Sequence, residues 1–225
     1  MPACRELTGS ALDTEPIVVQ QAPFADALRT TFEYGLDSGA EILVTVDADT
    51  LPRPGKIRKL VKAMRPNDDE LHGFALCALL FAWRKLGPRV YRVSSLPRLV
   101  KALDGNDTRP ESSAIRRAGL ASRSVRVHAA FHDFQQWRRD LFIKGRNHAA
   151  KHQRKKMERA IIEAWDRREN PEYRAYLAGL CAEPTPACYD GAAYNAPDWI
   201  EERGPLSADP VELLSEIEEA RFDAV

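Results

Sequence analysis

The sequence predicts an α/β protein: a mixed, mainly parallel sheet flanked by helices, with a long C-terminal helix and an acidic tail. Three observations carry that prediction. Strand and helix patterns alternate from residue 17 to residue 64. The run Ile42-Leu43-Val44-Thr45-Val46 is apolar and β-rich, as expected of a parallel strand buried on both faces in the sheet interior. Residues 133 to 170 hold a helical pattern without proline, with Gly145 as its weak point.

Taken in order, residues 1 to 16 mix Pro, Gly, Ser, Thr and Asp without periodicity and read as a loose N-terminus, up to a β-branched run at Ile17-Val18-Val19. Phe24 to Asp37 is a predicted helix with Phe24, Leu28, Phe32 and Leu36 on one face, closed by Gly39. The strand at 42 to 46 ends at Asp47 and Asp49, Pro52 and Pro54 stop it, and Ile57, Leu60, Val61 and Met64 mark the next helix. Leu71 to Arg84 and Arg89 to Val93 read as strands, or as a strand and a short helix, because periodicity cannot separate the two in a short apolar run. Leu96 to Leu103 reads as helix. The long helix is basic, with nine Lys or Arg between Arg138 and Arg159 against Asp140 and Glu158. Residues 171 to 225 form a Pro-rich acidic tail, with Pro210 to Phe222 as a short helix. One domain over 17 to 170 with two appendages fits the length of 225 residues.

Composition narrows the function classes. Thirty-three basic residues balance thirty-three acidic ones, so no global field recruits nucleic acid or an anionic membrane, and specific nucleic-acid binding is not expected. Four cysteines without a C-x-x-C pair argue against a disulfide scaffold and for a reducing compartment. The longest apolar stretch, Gly73 to Trp83, is well short of the roughly 20 residues a membrane span needs. The expectation is a cytoplasmic protein, with peripheral membrane contact allowed through the basic helix.

The chemistry-bearing feature is Val44-Thr-Val-Asp-Ala-Asp-Thr50, which puts two carboxylates where an apolar strand meets a loop. Ligands of open α/β sheets gather at such carboxyl ends, and hard divalent cations take such oxygen donors. Acidic residues at strand ends also serve as turn formers and helix caps, so the flanks decide. Ala27-Leu-Arg-Thr30, Ser38-Gly-Ala-Glu-Ile-Leu-Val44 and Asp47-Ala-Asp-Thr-Leu-Pro-Arg-Pro-Gly55 together resemble family 2 glycosyltransferases. The resemblance covers residues 17 to 65 well and extends more faintly to about residue 152.

That resemblance implies a GT-A-like fold and transfer of a sugar, in the manner of a hexosyltransferase, from a nucleotide-sugar donor to an acceptor hydroxyl on a glycan, lipid or protein. It implies Mn²⁺ or Mg²⁺, bound by Asp49, with Asp47 on the metal or the ribose and His132, in Val127-His-Ala-Ala-Phe-His-Asp-Phe134, completing the metal site. His128 is the alternative imidazole. Thr108-Arg-Pro-Glu-Ser112 resembles the acidic segment that supplies the base of inverting members, which makes Glu111 the candidate base. A carboxylate in the first turn of a helix is equally explained by the helix dipole.

The chain departs from the family at its start, where the strand and helix that build much of the nucleotide pocket have no counterpart before Ile17. Gln20, Gln21 and Arg29 are the residues left to line such a pocket, and weak donor binding without a protein partner is expected. Three other readings compete: a catalytically silent GT-A-like interaction protein, an RNA or anionic-lipid module using the basic helix, and a haloacid dehalogenase phosphatase. The last is similar in its strand ending in D-x-D but places glycine where Thr50 stands.

Overall fold

The computed structural model describes residues 15–47, 50–53, 55–77, 82–85, 87–107, 109–132, 138–150, 155–157, 159 and 173–181. The loose start over 1–14, Asp49 and the tail from 182 onward, including the short acidic helix, lie outside the described residues.

Helix α1 spans Phe24–Asp37, as its sequence predicts. Its buried residues are Ala25, Leu28, Phe32 and Gly35, whereas Leu36 is 37% exposed. Steps of four overshoot the roughly 3.6-residue turn, so twelve residues after Phe24 the predicted stripe has drifted about a third of a turn off the buried face. The β-branched run at 17–19 forms no strand, and Ile17 and Val18 are 68% and 50% exposed. Propensity alone does not make a strand without a neighbour and a face to cover.

Six strands follow: β1 (Ile42–Thr45), β2 (Thr50–Pro52), β3 (Glu70–Cys77), β4 (Ala82–Arg84), β5 (Arg89–Arg92) and β6 (Ser122–His132). They form one sheet in the order β1-β5-β3-β6-β2, with β4 also pairing with β3. The expected mainly parallel sheet is not what forms. Among the described pairings only β3 and β6 run parallel, and β1–β5, β3–β5, β3–β4 and β2–β6 are antiparallel. The reason is local: β3 folds back on β4 and β5 as a hairpin arm, a connection open only to antiparallel strands. The apolar run of β3 gave no sign of this.

β1 is likewise corrected from the interior to a sheet edge, pairing among the described residues with β5 alone. It reads as a doubly covered strand because both its faces are packed, Leu43 with the cluster under α1 and Ile42 and Val44 with the cluster on the other face.

The connection from β1 to β2 dictates the shape of the sheet. Only residues 46–49 separate two strands at opposite ends of the pairing order. A flat sheet would place them about 19 Å apart, four steps of roughly 4.8 Å, before any offset along the strands. Five residue steps reach at most about 18 Å. The sheet must therefore curl, bringing the carboxyl end of β1 toward the start of β2.

Helices cover both faces. On one, α1, α3 (Leu96–Ala102) and α4 (Pro110–Arg117) enclose Leu28, Phe32, Tyr91, Leu96, Leu99, Ala114 and Ile115. Phe32 meets the Tyr91 ring edge-on at 5.3 Å. On the other, α2 (Lys56–Lys62) sets Ile57 and Leu60 against Leu71, Val90, Val127 and Ala129. Each fully buried Leu, Ile or Phe contributes about 1.5–3 kcal/mol, so these two clusters stabilise the described sheet substantially.

Of the predicted long basic helix, α5 (Arg138–Ala150) is described, and it packs on α6 (Tyr173–Cys181). Gly145 and Gly179 sit at the crossing, where a Cβ on either would run into the backbone of the other helix, at Tyr176 and Phe142 respectively. Among the described residues no helix is long and apolar enough to cross a membrane.

Candidate functional site

Strand direction fixes which residues can meet. β1, β3 and β6 run the same way, so Asp47, Cys77 and His132 lie at or just beyond carboxyl ends on one rim of the sheet. Asp47 is exposed immediately after β1, and its carbonyl accepts a 3.0 Å hydrogen bond from the Thr50 amide, closing a turn into β2. β2 then pairs with the end of β6 so that Thr50 stands opposite His132. Residues 85 apart in sequence, Asp47 and His132, are thus joined by one turn and one strand pairing. His132 is 9% exposed, held among Phe131, Thr50 and the end of β3. Asp49, the principal expected metal ligand, lies outside the described residues. Among the described residues no three His, Cys, Asp or Glu side chains gather into a metal-holding group.

Glu111 occupies the first turn of α4, and both its carboxylate oxygens are engaged. The Tyr91 hydroxyl donates to Oε1 at 2.5 Å and Arg89 Nε to Oε2 at 2.9 Å. Arg89 stands opposite Thr45, two residues before Asp47, so the candidate base is tied to the strand that carries the acidic turn. This is equally the geometry of a carboxylate that anchors α4 to β5.

The remaining expected residues take structural contacts around α1. Gln21 Oε1 accepts from the Thr30 hydroxyl at 2.6 Å, and Arg29 Nη1 donates to the Val100 carbonyl at 3.2 Å, pinning α1 to α3.

Sequence reasoning missed the polar centre of this face. Glu70 is fully buried and accepts from Arg89 Nη1 at 2.9 Å, from His72 Nδ1 at 3.1 Å and from the Ser122 hydroxyl. Burial pushes its carboxyl up, but the His72 hydrogen bond, the Arg89 charge and the Ser122 hydroxyl outweigh it and hold the group below its ordinary range. Since an ionised carboxylate only accepts, His72 Nδ1 carries the proton. In the neutral ring Nε2 then accepts from Ser124 Oγ, 2.9 Å away. Burial lowers the proton affinity of Arg89, but the charges of Glu111 and Glu70 and the hydrogen bond to Glu70 more than reverse this and keep it cationic. Tyr91 is pushed well up, by burial first and then by the adjacent Glu111 charge, so its hydroxyl stays a donor.

The missed residues had a legible signature. Glu70 and His72 alternate with Leu71 and Gly73, and Arg89 and Tyr91 alternate with Val90, a period of two that places polar groups on one face of otherwise apolar strands. Half of this sheet face is thus apolar under α1, α3 and α4, and half is a hydrogen-bonded array reaching toward the rim of Asp47.

Protein-family models, curated proteins and solved structures offer no match to the chain.

Proposed function

We propose that the protein is a metal-dependent glycosyltransferase that moves a sugar from a nucleotide-sugar donor to an acceptor hydroxyl. The observation that supports the reading is the pairing of Thr50 with His132, which sets residue 132 beside the strand that follows the acidic turn, 85 residues on from Asp47. The donor set suits the ion: two carboxylates from Asp47 and Asp49 and one imidazole from His132 match Mn²⁺ or Mg²⁺, and the nitrogen donor favours Mn²⁺. When bound, such an ion stabilises the negative charge that develops on the departing nucleoside diphosphate.

The chain's own residues do the rest of the work. Arg89 and Tyr91 hold and orient the Glu111 carboxylate, which is the group we assign to take the proton of an acceptor hydroxyl that approaches it. Glu70 holds Arg89 in place from the other side, with His72 and Ser122 satisfying its remaining lone pairs.

Mn²⁺ binding followed by electron paramagnetic resonance tests the reading before any donor is known. The wild type should deplete the free-ion signal, Asp49→Asn should abolish that depletion with the melting temperature nearly unchanged, and His132→Ala should weaken it. Equal Mn²⁺ binding by wild type and Asp49→Asn, or none by the wild type, would sink the metal site. Calorimetry with a panel of nucleoside diphosphate sugars and Mn²⁺ then identifies the donor. Micromolar binding by the purified chain would show that no partner is needed to complete the nucleotide pocket.

A further inference from the structure

Glu70, His72 and Ser124 stand in a row across β3 and β6. On β3, Glu70 and His72 share one face, while Leu71 between them packs under α2 on the other. On β6, Ser122 and Ser124 take the face of Glu70 and His72, since Val125 and Val127 join Leu71 in the cluster beneath α2. The two strands run parallel here, with Glu70 opposite Ser122 and His72 opposite Ser124. Neighbouring strands lie about 4.8 Å apart, close enough for the side chains of each pair to meet.

The result is a relay with a direction. Glu70 accepts from His72 Nδ1 at 3.1 Å, which leaves Nε2 of the neutral ring as an acceptor 2.9 Å from Ser124 Oγ. Arg89 and Ser122 hold the same carboxylate, so Glu70 is fixed from three sides. Exposure rises along the relay: Glu70 has no exposed surface, the His72 side chain keeps 15% and Ser124 is half-buried. Among the described residues Ser124 Oγ has no other hydrogen-bond partner. Directly beyond this pair, β3 takes two residues to reach Phe74 while β6 takes four to reach His128. Bulges of this kind re-aim side chains beside active sites. Phe74, half-buried, is the next side chain of β3 on this face and offers apolar surface to an acyl chain.

We propose that Ser124 and His72 are the nucleophile and the base of an acyl-transfer site for small activated acyl esters, with Glu70 as the residue that positions the base. A serine hydroxyl is a weak nucleophile until a neighbouring base takes its proton, and a third group that orients the base completes the arrangement. Ser124 Oγ attacks the acyl carbon as its proton passes to His72 Nε2. The bond from that carbon to the leaving oxygen then breaks, and the leaving oxygen takes the proton from Nε2. Water repeats the sequence on the acyl-serine: it adds to the acyl carbon, gives its proton to Nε2, and Oγ departs with that proton as the carboxylic acid is released. Glu70 stays ionised throughout and stabilises the imidazolium. An ester with a good leaving group suits this site, because the departing oxygen needs only the one proton that His72 returns. The site uses neither Asp47 nor Asp49 and does not rest on the glycosyl-transfer reading.

The test incubates the full chain with p-nitrophenyl acetate in EDTA, follows release of p-nitrophenolate and locates the acetyl group by peptide mass spectrometry. A single acetyl group should appear on Ser124, and a fluorophosphonate probe should label the same residue. Ser124→Ala should lose both labels, while Ser112→Ala, at an exposed serine of α4, should keep them. His72→Gln should slow acylation by about 100-fold or more. Glu70→Gln should lower the acylation rate at saturating ester and leave KM unchanged, which loss of a purely structural carboxylate would not do; an equal rate removes Glu70 from the site. Melting temperatures establish that each variant is folded. Should His72→Gln fail to fold, Ser124→Cys takes its place, and its thiol should react with iodoacetamide faster than the exposed Cys181. Acetylation only at other residues, equal labelling of Ser124 with and without His72, or a Ser124→Cys thiol no faster than Cys181 overturns the site. Failure here is distinct from failure of the metal site, because acylation is read in EDTA.

Discussion

Asp69 and Glu70 are neighbours in sequence and carry the same charge, yet they serve two different kinds of ion network. Asp69 lies just before β3 and accepts from Ser95 Oγ at 2.5 Å, from the Ala121 amide at 2.9 Å and from Arg98 Nη2 at 2.7 Å, where Arg98 is 50% exposed. Beside it the buried Asp68 joins Arg123 and the Arg65 amide, so this end of β3 is laced to the start of β6, to the end of α2 and to α3. Glu70, one residue on, points into the sheet face with no exposed surface and shares Arg89 with Glu111. One carboxylate is thus partly open to solvent and the next lies in a low-dielectric interior, and the physics of the two differs accordingly. Exposed pairs contribute roughly 0–1 kcal/mol. Breaking a buried pair costs several times that, because it leaves a charge stranded without water.

The sharpest way to break the comparison is Arg89→Met. It removes the cation from between two carboxylates and keeps most of the side-chain volume, so the loss should be electrostatic rather than a cavity. Urea denaturation should show about 3–5 kcal/mol of destabilisation. Adding Glu70→Gln to that variant should recover part of it, since the stranded charge is then gone. A loss below about 1 kcal/mol would mean that the interior network behaves like the surface one.

Acid pH sharpens the same contrast. The carboxyls of Asp69 and Glu70 both lie below their ordinary values of 3.8 and 4.5, in each case because hydrogen bonds and cations outweigh burial. Below these values the unfolded chain binds protons that the folded chain resists. Stability is therefore fully present above pH 4.5 and is lost as pH falls through the lower, folded-state values. Glu70→Gln should flatten the acid limb of a stability profile measured by thermal melts between neutral pH and the acid transition. An unchanged limb would remove Glu70 from the pH response.

How much of this was legible in the sequence varies with the range of the interaction responsible. α1 and α3 were readable because the apolar spacing of a helix is local. β1 as a strand was readable too, but its place at an edge was not, because coverage of two faces says nothing about the number of hydrogen-bonded neighbours. The direction of β5 and β4 depends on a fold-back that an apolar run does not encode. In the candidate site, Asp47 was visible as the polar stop of an apolar strand, and His132 entered through resemblance to a family motif. The Glu70, His72 and Arg89 array went unread although its period of two was present. Its meaning comes from the register between β3, β5 and β6, which puts Arg89 opposite His72 and Ser124 on the far side. Register is a property of three strands at once and leaves no mark in any one of them.

The smallest expected effect lies at the exposed end of the comparison. Arg98→Ala removes one of three donors to Asp69, and the Ser95 hydroxyl and the Ala121 amide remain to satisfy the carboxylate, which keeps access to water. The arginine loses little on release, since its long side chain regains rotamer freedom in solvent. The cost should be below about 1 kcal/mol in urea denaturation at low ionic strength. It should shrink further at about 1 M salt, where the Debye length falls to about 3 Å. Arg89→Met should keep its full effect at that salt, since ions do not enter the sheet face where Glu70 sits. If the two variants respond alike to salt, the division between a solvent-screened network and a buried one fails, and with it the assignment of Glu70 as the interior brace of Arg89 and Glu111.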